Sequence, residues 1–418
     1  MKMTKIALLA SAALVAVSMG ARADDLSDLK ARIAALEANA ATTSVPAGFA
    51  LMSVGSADAI VVPGLDIDSS YSKKAMQIGI VPTADMPAST AIQWSGFVRA
   101  ALIFTNDKDT FTGRNAAGAV VLANSGSSDF STTRIKSRGE IKVVGTTDTA
   151  VGEVGALMKL RASWSGSAGG SVSSPEAWGW WKLSPDLTLG GGYTGTLANI
   201  GYGYDGACNC YYTDNAPVGL NPGDTTQMRL TYASGPISMA VALEDRNAGL
   251  QALGGAAELK YSGDTINGEV SGGYWAKGSQ VSDAYRIGAG IGMSLGDMAK
   301  VSLAAGTGRN FAGFDSWSAS ALVSASLSES VSAEVAYGYS DADSFDTGFP
   351  GPNYLVNSKT NAVLGGVYYT PVSQLTIGLE GEWYRTNEKS NGASTPVGFT
   401  IDDTFTHFSA DLVTVFRF

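Results

Sequence analysis

The feature that most constrains this chain is an alternation of apolar and polar residues with a period of two, which recurs along residues 92–418. In the segment IQWSGFVRAALIF, Val98 and Leu102 fall on one face and Arg99 falls on the other. Such alternation predicts a β-strand with one apolar and one polar face. It predicts 16 strands, at 92–104, 134–143, 150–164, 175–184, 186–195, 225–234, 236–245, 253–262, 264–275, 283–295, 298–308, 315–327, 330–341, 359–370, 374–386 and 404–418.

The connections between these strands alternate between tight turns and longer loops. The tight turns are TTDT, SPD, SGP, SGD, LGD, SES and TPVS. The longer loops fall near 105–128, 165–174, 196–224, 246–252, 276–282, 309–314, 342–358 and 387–403. Turns on one rim and loops on the other predict an up-and-down antiparallel barrel. Strands of about 10 residues have the length that a tilted strand needs to cross a bilayer.

A secreted soluble all-β protein also alternates apolar and polar residues, so the position of the aromatic residues matters. Tryptophan and tyrosine lie near the ends of the predicted strands, as the interface girdles of a membrane barrel require. These residues are Trp94, Trp164, Trp181, Tyr193, Tyr232, Tyr261, Tyr274, Trp317 and Trp383. Because an open strand edge is costly in hydrocarbon, the sheet has to close. The sequence therefore predicts an all-β, 16-stranded transmembrane barrel.

Composition excludes several classes of function. Charged residues make up 16% of the chain, glycine occurs 51 times and the mean hydropathy is near zero, which is not the profile of a disordered or coiled-coil protein. One histidine and two cysteines leave too few ligands for a His/Cys metal centre and little material for histidine-based catalysis. We therefore expect no enzymatic activity, no metal and no cofactor.

The N-terminus has the pattern of a secretory signal over residues 1–23. Lys2 and Lys5 form a basic end, an apolar stretch follows, and Ala21-Arg22-Ala23 is a small-x-small cleavage site. Removing this leader takes away three basic residues and no acidic ones, which leaves a net charge of −13. So negative a chain is a poor partner for nucleic acid.

Two further segments precede the predicted barrel. Residues 24–41 carry leucine, isoleucine and alanine at a/d heptad spacing, which predicts a short helix that is either a frayed end or a small coiled coil between identical subunits. Residues 42–91 are rich in alanine, serine, proline and glycine with weak strand signals such as MQIGIV, and we interpret them as a linker. The barrel is predicted to occupy 92–418.

The chain resembles the alphaproteobacterial general porins, a family of 16-stranded trimeric outer-membrane porins. The resemblance is carried by WSGFVRAAL, TTRIKSRGEIKVVGTTDTAVGEVGALMKLRASW, ASGPISMAVALED, LGGAAELKYSGDTINGEVSGGYW and the closing VTVFRF. It implies a homotrimer of water-filled barrels among outer-membrane lipids, a third loop folded into each lumen, and a terminal Phe418 that is read by the assembly machinery.

The resemblance places the pore constriction at the loop 196–224, between the fifth and sixth predicted strands. Asp205 and Asp214 are its candidate acidic groups. The candidate basic groups on the lumen faces of the strands are Arg99, Arg134, Arg138, Lys159, Arg161 and Arg229. Opposed charges across a narrow pore create a transverse field that favours small polar solutes. The alternative is a set of ordinary solvated lumen charges.

Two smaller groups of residues could carry chemistry. Cys208 and Cys210, in the same loop, are most simply a disulfide outside the cytoplasm, while a metal site would need ligands that the sequence does not place close by. His407, Ser409 and Asp411 share the polar face of the last strand. A rise of about 7 Å per two residues predicts that neighbours among them do not hydrogen-bond and that they only line the lumen.

The sequence predicts a channel for passive diffusion of small hydrophilic solutes and ions across a bacterial outer membrane. A substrate-selective channel for sugars or anions is the main alternative, with Trp178 and Trp180 on the polar face of the fourth strand as its best support. A barrel lipase or adhesin is the alternative from another class.

Overall fold

The computed structural model describes eleven segments of the chain: 51–65, 70–81, 90–114, 126–166, 170–200, 208, 210–213, 223–246, 253–346, 354–390 and 400–418. The predicted helix at 24–41 therefore lies outside the described residues. Within them there is no helix long and apolar enough to span a membrane. The unit that carries the barrel consists of Ser53–Gly79 and Ala88–Phe418, and residues 51–52 and 80–81 belong to a second unit.

Sixteen antiparallel strands form one closed barrel, because each pairs with the next and the last pairs with the first. They are β3 (Thr90–Arg114), β4 (Gly126–Thr149), β5 (Gly152–Ser165), β6 (Ser171–Lys182), β7 (Leu187–Gly195), β8 (Asp224–Ser234), β9 (Ile237–Asp245), β10 (Gly254–Ser262), β11 (Ile266–Trp275), β12 (Ala284–Leu295), β13 (Ala299–Arg309), β14 (Asp315–Ser326), β15 (Val331–Asp346), β16 (Tyr354–Val372), β17 (Leu375–Ser390) and β18 (Thr400–Arg417). The predicted fold class and strand number are confirmed.

Two additional strands lie in the region that the sequence suggests is a linker. They are β1 (Leu51–Asp58) and β2 (Lys74–Val81), and the second includes the weak strand signal MQIGIV. Among the described residues between these two strands, Val62 and Tyr71 are buried.

The two faces of the wall have opposite chemistry. On β3 the outward side chains of Val98 and Leu102 are exposed, whereas Arg99 between them is buried inside. The same division holds around the barrel, and the exposed exterior side chains include Ile135, Leu160, Val241, Ile287, Leu303, Val335, Leu379 and Leu412. An apolar exterior around a charged interior is the arrangement that a bilayer demands of a barrel.

The exterior aromatic residues follow the predicted girdle. Among the nine that the sequence singles out, seven are exposed: Trp164, Tyr193, Tyr232, Tyr261, Tyr274, Trp317 and Trp383. Trp94 and Trp181 are half-buried. At the closing seam, Gly96 and Phe418 exchange two backbone hydrogen bonds of 3.0 Å each, which places the Phe418 ring at the turn rim, where it is 58% exposed.

Several strands run further on the loop side than hydropathy indicates. The described residues of the predicted loop 105–128 are strand, because β3 continues to Arg114 and β4 starts at Gly126. Asp107 and Asp403, which fall in the predicted loops 105–128 and 387–403, therefore lie on strands. Polar ladders such as Asn106 with Asp129 at 2.8 Å hold these extensions together, and a strand in water on both faces has no apolar alternation to reveal it.

Candidate functional site: a loop folded into the lumen

The loop between β7 and β8, called the constriction loop here, enters the lumen at its first residues. Leu197, Ala198 and Ile200 are buried against the inner wall. That wall is built of small side chains and one tryptophan: Ala240, Ala242, Ala256, Trp275 and Ala284. Small residues let the loop approach closely, and a Cβ added at Gly288 would lie 2.4 Å from Ile200 Cδ1.

A buried carboxylate fixes the start of the loop. Glu244 on β9 accepts hydrogen bonds from Thr196 Oγ1 at 2.7 and 2.8 Å and from the Leu197 amide at 3.1 Å. It also accepts one from Trp275 Nε1 at 2.9 Å. Hydrogen bonds to an ionised acceptor are stronger than neutral ones, so this part of the loop is firmly held.

The tip of the loop, defined as Cys208 and Cys210–Thr213, crosses to the opposite wall. There Glu380 on β17 accepts hydrogen bonds from the amides of Tyr211, Tyr212 and Thr213 at 2.6, 2.9 and 3.2 Å. Thr213 Oγ1 and the Tyr368 hydroxyl add bonds of 3.3 and 3.0 Å. The described parts of this loop therefore lie inside the barrel, as expected, and Glu380 is the main anchor of the tip.

Two tyrosines of the tip meet the basic wall. The Tyr212 hydroxyl donates to the Arg99 carbonyl at 3.2 Å, and the Arg99 guanidinium lies 4.9 Å from the centre of the Tyr212 ring. Arg417 Nη2 donates to the Tyr211 hydroxyl at 2.5 Å. Burial raises the pKa of both tyrosines, so they stay neutral and keep their hydroxyl protons at physiological pH.

Cys208 and Cys210 form a disulfide. Cys208 is buried against Leu322, Ala336, Ala362 and Leu364 on β14–β16. Glu334 also lies beside the disulfide, with its Oε1 atom 4.0 Å from Cys210 Sγ. The sequence does not indicate this neighbour. Oxidised cysteines are not metal ligands, because a ligand has to be a thiolate.

Replacing both Cys208 and Cys210 with alanine should leave the barrel folded but loosen the tip, because Glu380 holds only the residues that follow the disulfide. We expect single-channel currents with more open-state noise and an unchanged heat-resistant band on gels. Wild-type protein treated with a thiol reductant is the parallel measurement. Quiet traces from the double variant would show that the disulfide does not order the tip.

The six predicted basic residues all face the lumen but separate into two groups. In the first group each side chain has a polar partner on the wall or beside it. Lys159 pairs with Glu176 at 2.9 Å, and Arg161 pairs with the buried Glu140. Arg229 donates to the carbonyls of Gly64 and Gly195 and lies over the Trp178 ring. Carboxylates thus balance the charges of Lys159 and Arg161, whereas neutral acceptors hold the Arg229 guanidinium.

The second group consists of Arg99, Arg134 and Arg138. Arg99 and Arg138 are directly opposite each other on β3 and β4, and Arg134 and Lys136 continue the row along β4. Among the described residues, no ion pair involves any of the four. We call Arg134, Lys136 and Arg138 the basic column. The predicted acidic partners Asp205 and Asp214 lie outside the described residues.

Other residues that the sequence singles out have local partners. Trp178 and Trp180 are each 3% exposed and pack against Ile60, Val62 and Leu65, so neither ring offers a surface to a sugar. This removes the observation that favoured a sugar-selective track.

His407 lies with its Nδ1 2.5 Å from Asp107 Oδ1, and its ring stacks on Tyr384. The expected lumen orientation of Ser409 is confirmed, since it is buried while Phe408 beside it is exposed. The expectation that neighbours on this strand do not hydrogen-bond is wrong, because Ser409 Oγ donates to Asp411 Oδ1 at 2.6 Å. Side chains lean along a strand, which shortens the gap.

Sequence reasoning missed the two carboxylates that hold the loop, Glu244 and Glu380. The available signal was a glutamate on the inward face of each strand. That signal does not say which distant backbone amides will meet it, because the contacts join residues 47 and 169 positions apart.

No family model and no curated protein sequence matches the chain. Among solved structures, it is similar to a triple mutant of Rhodopseudomonas blastica porin at 17% identity and a TM-score of 0.46, covering 78% of this chain and 100% of that one. It is also similar to the outer membrane channel DcaP of Acinetobacter baumannii at 13% identity and 0.48, covering 78% and 97%. A third is OmpT of Vibrio cholerae, at 10% identity and 0.48, covering 79% and 98%. At these identities the likeness is limited to the fold.

Proposed function

We propose that this protein is an outer-membrane channel for the passive diffusion of small hydrophilic solutes and ions. The observation that carries the proposal is a closed barrel with an apolar exterior and a charged interior that an inserted loop narrows. Such a barrel satisfies every strand hydrogen bond in hydrocarbon and leaves a polar path through its centre.

The narrowing acts through charge as well as size. The basic column and Arg99 stand on β3 and β4, while carboxylates stand on the neighbouring inward faces of β17 and β18, among them Glu380, Glu382 and Asp411. A field between opposite charges orients dipolar solutes and disfavours apolar ones, which have to give up their water. In this proposal the channel uses no catalysis, no metal and no cofactor.

We further propose a homotrimer in a bacterial outer membrane, with Phe418 as the assembly signal and residues 24–41 as an accessory contact between subunits. The exposed Phe418 ring at the turn rim supports the role as assembly signal, because a recognition signal has to be accessible.

The test is single-channel conductance in planar bilayers. We expect open channels whose conductance rises with salt and a weak preference for cations at low salt, because the net charge of the chain is negative. The preference should fade as salt rises, since the Debye length falls to about 8 Å at 0.15 M. Bilayers without any conductance, or current block by added sugars, would contradict the proposal, and lipid hydrolysis by the pure protein would favour the lipase alternative.

A further inference from the structure

A second element lies inside the barrel besides the constriction loop. Between β1 and β2 the chain makes an excursion that we call the lumen strap, defined as Ala59–Leu65 and Ser70–Lys73. Its two ends are close together, because the Ala59 amide donates to the Lys73 carbonyl at 2.9 Å and Lys74 pairs with Asp58 at 2.7 Å.

The strap turns at Val62-Pro63-Gly64-Leu65. The Leu65 amide donates to the Val62 carbonyl at 3.3 Å, and Gly64 has a φ of 77°. Proline followed by a residue with positive φ is the pattern of a type II turn, for which glycine is the favoured residue. A Cβ at this glycine would also meet Thr231 Oγ1 of the barrel wall at 2.9 Å, so the turn lies tightly against β8.

One side of the strap is apolar and covers the inner wall of β4–β6. Ile60, Val62 and Leu65 pack against a cluster formed by Val144, Leu157, Trp178 and Trp180. Removing apolar side chains from water in this way stabilises the strap against the wall. A segment that merely happened to lie in a water-filled pore would not bury its apolar side chains.

Polar contacts fix the strap at several further points. Gln93 accepts from the Ile60 amide at 2.7 Å and donates to the Asp58 carbonyl and Gln77 Oε1 at 2.9 and 2.7 Å. Tyr71, which is buried against Phe97, donates its hydroxyl to Glu140. The strap is thus held along the β3–β8 side.

Arg417 links the strap to the constriction loop. Its Nε donates to the Ser70 carbonyl at 3.0 Å, its Nη1 to Thr376 Oγ1 at 2.8 Å and its Nη2 to the Tyr211 hydroxyl at 2.5 Å. In the strand register Arg417 lies opposite Phe97, near the turn rim. The loop anchor Glu380 lies opposite Asp411, further toward the loop side of the barrel. The strap therefore narrows the lumen on the turn side of the constriction loop.

The described residues of the strap border an open space in the lumen. A cavity of about 760 Å³ lies between the strap, Tyr211 of the loop tip and the inner wall of β12–β17. Lys300, Glu334, Tyr368 and Arg417 are among its polar lining residues. Solutes that pass the loop therefore meet a path displaced toward this wall.

We propose that the lumen strap is a second constriction, which sets the size limit of the channel together with the loop and confines permeating solutes to the polar path along β12–β17. The proposal rests on the proposed channel function.

The test replaces residues 59–73 with Asn-Gly, a two-residue hairpin turn that suits the short distance between Asp58 and Lys74. We expect single-channel conductance to rise by roughly one and a half to twofold, since a second resistance in series is removed. Uptake of larger sugars in liposome swelling should rise as well. If the wild type conducts and the strapless variant has the same conductance, this inference is overturned, but the proposed channel function is not. A wild type that does not conduct overturns the channel function itself.

A matched pair of point variants guards against a strapless chain that fails to fold. Val62 is 7% exposed in the apolar cluster, whereas the neighbouring Val61 is 64% exposed. Val62→Asp places a charge in the cluster and should release the strap and raise conductance, while Val61→Asp should behave as wild type. Equal conductance in both variants and wild type, with intact heat-resistant barrels, would overturn the inference.

Discussion

Replacing Glu380 with glutamine should open the channel more than any other single change in the lumen. Glu380 Oε1 accepts the Tyr211 amide and Oε2 accepts the Tyr212 and Thr213 amides. Glutamine replaces one of these two oxygens with an NH₂ group, so in either orientation at least one tip amide faces a donor and loses its acceptor. A buried donor left without an acceptor costs about 1–3 kcal/mol, so the tip should leave the wall. We expect single-channel conductance to increase roughly twofold, with larger solutes admitted.

The control for this variant is Glu388→Gln, on the same inward face of β17. Glu388 accepts a hydrogen bond from Ser358 Oγ at 2.8 Å and none of the tip amides. The Glu388→Gln variant removes one negative charge from the lumen, as Glu380→Gln does, but leaves the contacts of the constriction loop unchanged. If both variants change conductance equally, the effect of Glu380 is that of its charge and not of its grip on the tip.

Neutralising Arg134 and Arg138 together, each to glutamine, should move ion selectivity toward cations. The described structure shows no carboxylate paired with either side chain, so their charge acts on ions in the lumen rather than on a neighbour. The measurement is the reversal potential across a salt gradient. The shift should be largest near 0.01 M, where the Debye length is about 30 Å.

Arg309→Gln serves as the matched control for that double variant. Arg309 stands on the outer side of β13 at the loop rim and pairs with Asp315 at 2.8 Å. Its loss changes the net charge of the protein but not the charge of the lumen. A reversal potential that does not move in the Arg134/Arg138 variant would exclude the basic column from the constriction.

The barrel could be predicted from sequence because a membrane strand repeats one physical rule along its length. Val98 and Leu102 face lipid and Arg99 faces water, and this contrast is visible wherever the wall separates two solvents. Where the same strands extend beyond the membrane into water, as β3 does after Asn106, this contrast between the two faces disappears and the sequence pattern predicts a loop.

The contents of the lumen were harder to predict. The strap residues Ile60, Val62 and Leu65 form an apolar run without a period, in a segment whose composition is that of a linker. Their burial depends on Trp178 and Trp180, which lie more than a hundred positions away. Likewise, the sequence identifies Lys159 and Arg161 as lumen charges, but it does not reveal that Glu176 and Glu140 pair with them.

The inner wall behind the constriction loop is a spacer as well as a support. A Cβ at Gly288 would lie 2.4 Å from Ile200 Cδ1, so any side chain there has to displace the Ile200 side chain, and a large one would push the loop toward the centre of the pore. The diameter of such a pore can thus be changed by side chains of the wall behind the loop, which no permeating molecule contacts. Sequence changes in this alanine- and glycine-rich layer would then alter permeability while every residue that lines the path stays the same.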